Sequence, residues 1–292
     1  MALVDIVLGG TFHAAILFLV AAGLQLVFGV QKIVNLACGS FYALGAYFGI
    51  SAVAAAVSLG LPPLLFLPVL ILAGLVIGLV GLPIERILST VYRRDESYQL
   101  LLTFGLLLMF QDVFRFIWGA TPRTMDDVYM AYGTAEILGT RVPAYNLLVI
   151  AASLGLAIAL GLFLQRTKTG RIVRATAENR DMAEGLGVNA SRIFALVFTV
   201  GCMLGTVGGA LVVPSSAASL EMAVELVVES FAVVVIGGLG SMRGALVGAL
   251  IVGLMRGAAI TFMPEMELLS IYIVVVAVLI FRPAGLFGKP VT

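Results

Sequence analysis

The chain alternates between long apolar stretches and short polar connections. No Asp, Glu, Lys or Arg occurs in residues 6–31, 33–84, 142–165 or 193–220. A helix needs about 20 apolar residues to cross the hydrocarbon core of a bilayer, so each stretch can supply at least one span. The pattern predicts helices at residues 6–28, 40–58, 64–84, 98–118, 143–165, 193–213, 230–241, 244–262 and 268–282.

Composition points to the same class of protein. Hydrophobic residues make up 61% of the 292 residues and charged residues only 11%, whereas soluble domains are about 45–50% apolar. We therefore predict an all-α, polytopic transmembrane helical bundle of about eight to nine spans with broken or re-entrant helices. Residues 1–292 are expected to form a single transmembrane domain. The stretch 230–262 is either two spans or a re-entrant hairpin with Arg243 near its tip.

Glycines spaced four residues apart recur along the predicted spans. This spacing places small residues on one helix face, which lets neighbouring backbones approach closely in a bilayer. The pattern favours tight helix packing; an interface that slides or opens is the alternative. The glycines concerned are Gly45/Gly49, Gly74/Gly78, Gly201/Gly205/Gly209, Gly240/Gly244/Gly248 and Gly253/Gly257.

The largest polar interruption is the segment 166–192, which contains six basic and three acidic residues. The positive-inside rule places this segment in the cytoplasm. From the composition we expect a multi-pass protein of a bacterial inner membrane, and the positive-inside rule then gives a periplasmic N-terminus and a cytoplasmic C-terminus. The other charged connections sort accordingly, with Arg86, Arg93, Arg94, Arg282 and Lys289 inside and Asp126, Asp127, Glu136, Glu221, Glu225, Glu265 and Glu267 outside.

The segment 166–192 also has the pattern of an amphipathic helix. Ala175, Met182 and Leu186 fall on one helical face at positions i, i+7 and i+11. Gly187 is suited to end that helix, and Asn189 to cap the next one. Such a helix either docks in a groove of another protein or lies on lipid headgroups. Composition alone leaves both alternatives open.

Two segments, 28–39 and 236–244, interrupt the helical pattern with glycine and polar residues. Broken helices at membrane depth are tolerated only where the freed backbone groups face protein or a water-filled cavity, and in transporters they often line the substrate path. Each segment is therefore either an ordinary turn or part of a pathway. The candidate pathway residues are Asn35, Cys38, Gly39, Gly237, Gly238, Gly240 and Ser241.

The sequence offers little support for catalysis or for metal binding. It contains neither HExxH nor CxxC nor a Walker A motif. The single histidine, His13, lies in an apolar run, where it is either satisfied by a neighbouring helix or part of a proton relay. Asp112 and Arg115, three residues apart, are expected to form an ion pair. We predict no enzyme activity, no metal site and no nucleic-acid partner. If the chain moves a solute uphill, the energy must come from a partner, because the chain has no Walker A motif.

Four segments, in order along the chain, are together typical of one family. They are residues 23–30 (GLQLVFGV) followed by 33–37 (IVNLA), 177–179 (AEN) with 187–189 (GVN), 235–241 (VIGGLGS), and 282–288 (RPAGLFG). With the hydropathy pattern, they resemble the permease subunit of ATP-binding-cassette importers for branched-chain amino acids, the hydrophobic amino-acid uptake type. The resemblance covers nearly the full length and implies one permease domain with a cytoplasmic coupling loop at 166–192.

The resemblance implies a complex embedded in the lipid bilayer. Its other members would be a second, related permease subunit, two ATP-binding-cassette ATPase subunits and a periplasmic solute-binding protein. ATP would be hydrolysed by the partner subunits, and this chain would bind no cofactor. The residues implied to couple the permease to the ATPase are Arg171, Arg174, Glu178, Asn179, Met182, Gly187 and Asn189.

One position departs from the family: Cys38 stands where the family commonly has a histidine. The exchange makes the expected lining more apolar, so we expect leucine, isoleucine or valine as solutes. Urea, amides and aromatic acids are the alternative solutes for the same importer type. A stand-alone secondary carrier is a weaker alternative, because the charges nearest to the breaks, Lys32 and Arg243, have the wrong sign for binding a coupling cation.

Overall fold

The computed structural model describes residues 2–33, 35–91, 94–137 and 139–288. Val34, Arg93 and Lys289, on which parts of the predictions rest, lie outside the described residues. The elements of the described part are α1 (Ala2–Gln31), α2 (Cys38–Ser58), α3 (Phe66–Ile77), α4 (Gly81–Leu88), α5 (Glu96–Trp118), α6 (Asp126–Ala131), β1 (Thr134–Ile137), β2 (Thr140–Pro143), α7 (Ala144–Arg166), α8 (Lys168–Glu178), α9 (Arg180–Gly185), α10 (Ala190–Val212), α11 (Met222–Gly237), α12 (Met242–Phe262) and α13 (Glu267–Phe281).

Seven helical segments of the described chain are long and apolar enough to cross a membrane. The predicted all-α polytopic bundle is therefore confirmed. A shorter apolar helix covers Leu269–Phe281, and α11 is 16 residues long. The seven segments are Leu3–Gln31, Cys38–Ser58, Pro63–Val91, Ser97–Trp118, Ala144–Arg166, Ala190–Val212 and Met242–Phe262.

The stretch 230–262 differs from the prediction at its beginning. α11 starts at Met222 and not at residue 230, so Glu225 and Glu229 lie within the helix and not in a connecting loop. α11 and α12 then pack against each other in opposite directions, with Gly237 beside Gly244. The stretch therefore consists of two antiparallel helices joined by residues 238–241.

α10 is the central helix of the bundle, and α1, α2, α3 and α4 all pack on it. The helices approach closely because glycines lie at the crossings. A Cβ atom added at Gly23 would lie 2.6 Å from the carbonyl oxygen of Gly201, and one added at Gly74 would lie 2.7 Å from the Cα of Val207. No real side chain fits at such distances, so the predicted tight packing at Gly74 and Gly201 is confirmed.

A small antiparallel β-hairpin was not expected from the sequence. β1 and β2 pair with Thr134 opposite Pro143 and Ile137 opposite Thr140. We call the end of the bundle that carries this hairpin the strand end, and the opposite end, which carries residues 167–189, the loop end. The Tyr145 hydroxyl fixes the start of α7 at the strand end by donating to the carbonyl oxygen of Leu211 at 2.7 Å.

The predicted ion pair between Asp112 and Arg115 is absent. Both side chains are exposed on α5, and no carboxylate–guanidinium contact within 4.0 Å joins them in the described structure. A spacing of three residues permits an ion pair on a helix but does not impose one, because each side chain can choose a different rotamer.

Candidate functional site

A cavity of about 780 Å³ at the loop end brings together segments that lie far apart in the sequence. Arg174 and Glu178 of α8, predicted to couple to an ATPase, share its lining with Gly240 and Ser241, predicted to line a pathway. Its remaining lining comes from the end of α1, from α8, from the end of α11 and the turn that follows it, and from the C-terminal tail: Gly29, Lys32, Ala177, Val235, Leu239, Pro283, Ala284, Phe287 and Gly288.

The break between α11 and α12 is a tight glycine turn. Gly238 has φ +95° and Gly240 has φ +81°, values that glycine adopts without the steric cost that a Cβ would bring. Ser241 then caps α12, because its hydroxyl oxygen accepts a hydrogen bond from the Gly244 N–H at 3.1 Å. Gly237 touches the backbone of Gly244. The turn thus has no room for larger side chains at its base.

Gln25 of α1 holds this turn in place. Its side chain is 1% exposed. The side-chain nitrogen donates to the carbonyl oxygen of Gly238 at 2.9 Å, and the side-chain oxygen accepts from the Gly240 N–H at 2.6 Å. Sequence analysis did not single out this residue, although an amide inside an apolar span is itself a signal, because such a group needs partners in the membrane.

The C-terminal tail covers the same turn. The Leu286 N–H donates to the carbonyl oxygen of Ile236 at 2.8 Å, and the Phe287 N–H donates to that of Gly237 at 3.0 Å. These carbonyls belong to the last turn of α11 and have no partner within the helix. Both glycine-containing segments, 235–241 and 282–288, therefore form one unit with Gln25.

The polar segment 166–192 forms two helices instead of the predicted single one. Asn179 adopts an extended backbone (φ −151°, ψ 103°) between α8 and α9, and its side chain accepts from the Met182 N–H at 3.0 Å. The predicted common face of Ala175, Met182 and Leu186 on one helix is therefore wrong. Asparagine side chains compete with the helical backbone for hydrogen bonds, which explains the break.

The boundaries at the end of the segment agree with the prediction. Gly187 follows α9 with φ +86°, a left-handed conformation that commonly ends helices. Asn189 caps α10, and its side-chain oxygen accepts from the Arg192 N–H at 3.1 Å. The end of α9 and the start of α10 thus lie where the residue types predicted them.

Two apolar side chains of the segment are largely exposed. Met182 is 66% exposed and Leu186 is 82% exposed, and Arg171 also faces outward. Inside, Val173 and Thr176 of α8 are buried. Exposed apolar side chains on a polar loop are typical of a surface that contacts another protein.

α9 is connected to the membrane helices by one aromatic residue. The guanidinium of Arg180 lies 5.0 Å from the ring centre of Phe194, at the start of α10. The same guanidinium pairs with Glu184 at 2.9 Å. The carbonyl oxygen of Phe194 accepts a hydrogen bond from the side chain of Gln31 at 2.9 Å, which extends the connection to α1.

The other predicted pathway residues lie apart from the loop-end cavity. Asn35 and Cys38 line a separate void of about 10 Å³, together with Cys202. Both cysteines are free and buried. The Asn35 side chain accepts from the Ala37 N–H at 3.0 Å, and Gly39 packs against the carbonyl oxygen of Ala223. The void is too small for an amino acid, so in this conformation these residues form packed core, and their role in a pathway stays a prediction.

A charge cluster at the strand end was missed by the sequence analysis. His13 lies 3.0 Å from a carboxylate oxygen of Glu229, and a terminal nitrogen of Arg256 lies 2.6 Å from the other oxygen. Arg256 also pairs with Glu267. The prediction that a neighbouring helix satisfies His13 is confirmed. Ionisable residues inside apolar helices are the signal for such a cluster, and Arg256 and Glu229 both carry it.

The comparison with known proteins agrees with these observations. Residues 6–279 match the family described as the permease component of the branched-chain amino acid transport system. The chain is 26% identical to the high-affinity branched-chain amino acid transport system permease protein BraD of Pseudomonas aeruginosa, over 93% of this chain and 91% of BraD. It is 25% identical to the corresponding protein LivH of Escherichia coli K12, over 98% of this chain and 94% of LivH.

A relative with a different printed solute also matches. The ribose import permease protein RbsC of Haemophilus influenzae is 26% identical, over 87% of this chain and 77% of RbsC. Such a match indicates that the scaffold is shared more widely than the solute. Because the family model covers residues 6–279, this chain belongs to the family of permease components of branched-chain amino acid transport systems.

Proposed function

We propose that this chain forms half of the translocation pathway of an ATP-binding-cassette importer for leucine, isoleucine and valine. Its family membership and its similarity to BraD and LivH support this solute class. The other half comes from a second, related permease subunit. A periplasmic solute-binding protein delivers the solute, and two ATPase subunits supply the energy.

The observation that carries the proposal is the shared loop-end cavity. Arg174 and Glu178 of the loop helix α8 line the same cavity as Gly240 and Ser241 of the glycine turn. A movement of α8 therefore changes the shape of a cavity that borders a helix break. Broken helices often line the substrate path of transporters, so this arrangement suits a gate that is driven from the loop.

The ATPase would dock on α8 and α9. The exposed apolar side chains of Met182 and Leu186 are available for that contact. The cation–π contact of Arg180 with Phe194 and the hydrogen bond of Phe194 with Gln31 would pass the movement of α9 to α10 and α1. Asn179 and Asn189 cap α9 and α10, Gly187 follows the end of α9, and Arg171 is exposed on α8 for the same contact.

The loop end would face the cytoplasm, and the strand end the periplasm. The positive-inside rule supports this orientation, because the segment 166–192 contains six basic residues. In this orientation the N-terminus is periplasmic and the C-terminus cytoplasmic. The inner membrane of a bacterium is the expected location, and the chain itself binds no ATP and no other cofactor.

Uptake by the complete complex tests the proposal. The chain would be purified with its partner permease and ATPases, reconstituted in vesicles, and supplied with ATP and the solute-binding protein. Leucine, isoleucine and valine are expected to accumulate and to stimulate ATP hydrolysis. Urea, phenylalanine and ribose serve as competing solutes in the same assay. Preferred accumulation of one of these would overturn the proposed solute class.

Gly187→Val tests the coupling role of the loop. Gly187 has φ +86°, which a β-branched residue adopts only with strain. The variant is expected to reach the membrane in normal amounts but to lose solute-stimulated ATP hydrolysis. Gly185→Ala is the matched control, because an added Cβ there meets no atom within 4 Å and no positive φ is required. Normal coupling in Gly187→Val would contradict docking through this segment.

A further inference from the structure

A second large cavity, of about 560 Å³, lies at the strand end and has a different lining. It opens between α1, α2, α7, α11 and α12, so it is separate from the glycine turn at the loop end. Apolar side chains cover part of its wall, among them Phe12, Leu226 and Ile260. The rest of the lining is polar and includes Asp5, Tyr42, Asn146, Glu225, Glu229 and Arg256.

The charges around this cavity are not balanced. Arg256 is the cation of the charge cluster, and it already pairs with both Glu229 and Glu267. Two more carboxylates, Asp5 and Glu225, line the cavity without an ion pair within 4.0 Å in the described part of the chain. Even with a charged His13, the carboxylates outnumber the cations, so the cavity has a negative field.

The cavity also contains hydrogen-bond acceptors without donors. The side-chain oxygen of Asn146 is buried and has no hydrogen-bond partner among the residues that the structure describes. Buried polar atoms are nearly always paired, so an unpaired one requires an explanation. The carboxylate of Glu225 lies in the first turn of α11, where its side chain is exposed and lines the cavity. Ionisable residues on membrane helices commonly mark a solute or ion path.

We propose that the strand-end cavity binds the ammonium group of the transported amino acid, with the Glu225 carboxylate and the Asn146 side-chain oxygen as acceptors. An ammonium group has three donors and no acceptor, which fits a site that has negative charge and free acceptors. Phe12, Leu226 and Ile260 contact the aliphatic body. This site deepens the proposed function and rests on it for the identity of the solute.

In this site Arg256 and His13 do not contact the solute but hold Glu229 in place. Their contacts with Glu229, at 2.6 Å and 3.0 Å, hold that carboxylate against α1 and α12. Because Arg256 is already compensated by Glu229 and Glu267, it is not free to bind the carboxylate of the solute. Glu225, four residues before Glu229 on α11, lacks such a partner and is therefore the group that meets the ammonium.

Cysteine labelling tests the charge preference without any transport. In Ser216→Cys, the new thiol lies in the cavity lining, whereas Cys38 and Cys202 are buried. The complete complex would be treated with a cationic ethylammonium thiosulfonate reagent and with its anionic ethylsulfonate counterpart. Ser58→Cys is the matched control, since Ser58 is exposed at the end of α2 and does not line the cavity.

The proposal predicts a rate ratio that favours the cationic reagent by about 10-fold in Ser216→Cys relative to Ser58→Cys, because an anionic cleft concentrates cations. Adding Glu225→Gln should bring the ratio close to that of the control. An excess of leucine should slow the labelling of Ser216→Cys. Equal rates for the two reagents, or a ratio that Glu225→Gln leaves unchanged, would overturn the proposal.

Uptake by the complete complex gives a second, independent readout. Glu225→Gln should lower leucine uptake by about 10-fold, a loss that corresponds to one charge-assisted contact, and Glu225→Asp should restore part of it. Glu221→Gln, at the residue that precedes the same helix and outside the cavity lining, should not change uptake. Normal uptake in Glu225→Gln would contradict the site. If the unsubstituted complex takes up no branched-chain amino acid but keeps the labelling preference, the proposed solute fails and the cation site stands.

Discussion

The two large cavities at the ends of this bundle are formed by different kinds of chemical group. The loop-end cavity is shaped by backbone: a glycine turn at 238–240, the tail at 285–288, and Gln25 that bonds to the turn. The strand-end cavity is shaped by charged side chains, above all Glu229 and Arg256. The first suits a hinge or gate, since its chain path can change; the second suits a binding site, since its groups carry charge.

The difference also predicts which kind of substitution disturbs each cavity. The loop-end turn depends on residues that have no side chain, so it is sensitive to added atoms. The strand-end cluster depends on compensation between charges, so it is sensitive to the removal of one partner. Variants at the two ends should therefore fail for different physical reasons, and stability and transport measurements can separate these reasons.

The largest effect is expected from replacing Arg256, the cation of the strand-end charge cluster. Arg256→Met should lower the free energy of unfolding by about 3 kcal/mol, because it removes the guanidinium from Glu229, which is 4% exposed and keeps only its contact with His13, and from Glu267. Thermal unfolding in detergent measures the change. Arg141→Met is the control, because the Arg141–Glu136 pair is largely exposed and should contribute less than about 1 kcal/mol. Equal stability losses would mean that the strand-end cluster has no special energetic role.

The next largest effect is expected at the loop-end turn. Gly238→Val should cost about 2 to 3 kcal/mol, since φ is +95° and an added Cβ would run into the backbone of Gly288. Uptake should fall with stability. Gly29→Val is the control at the same cavity, because its Cβ would meet no atom within 4 Å. A tolerated Gly238→Val would show that the tail does not cover the turn during transport.

A smaller effect is expected from the residue that joins α1 to the turn. Gln25→Leu removes the hydrogen bonds to Gly238 and Gly240 and should cost about 2 kcal/mol, since a buried donor and acceptor lose their partner. We expect ATP hydrolysis to continue without solute, because the turn is released. Gln111→Leu, which removes one long hydrogen bond of 3.3 Å to Leu220, should have little effect. Tight coupling in Gln25→Leu would argue against a gate at this turn.

The smallest effect concerns the cap between the docking helices and the bundle. Asn189→Ala removes the side-chain acceptor for the Arg192 N–H and should cost about 1 kcal/mol. Asn189→Asp keeps an acceptor and should behave like the unsubstituted chain. Thermal unfolding of both variants measures the difference. If Asn189→Asp is as damaging as Asn189→Ala, the amide and not the cap is the relevant feature.

Much of the helical architecture could be predicted, because it depends on local patterns. The predicted spans 143–165 and 193–213 closely match α7 (Ala144–Arg166) and α10 (Ala190–Val212). Gly187 and Asn189 ended and started helices as their residue types indicate. The break at Asn179 could not be predicted in the same way, since an asparagine can continue a helix or break it, and only the structure shows that the Asn179 side chain caps α9.

The site was predicted only in pieces. Glycine turns and the polar loop were recognised separately, but their meeting in one cavity requires the packing of α1, α8 and α11. Asn35 and Cys38, which looked equivalent to Ser241, instead line a void of about 10 Å³. The residue types of a segment indicate its local conformation. They do not indicate which of several helix breaks lies next to an open cavity.

The sequence by itself determined that this chain is a membrane-embedded helical bundle, where most of its helices begin and end, and to which family it belongs. Only the tertiary structure decided that Gln25 clamps the glycine turn and that His13, Glu229, Arg256 and Glu267 form one cluster. The physical reason is the separation along the sequence over which each interaction acts. Hydropathy and capping act over a few neighbouring residues, whereas charge compensation and close backbone contact act between helices that are more than 200 residues apart in the chain.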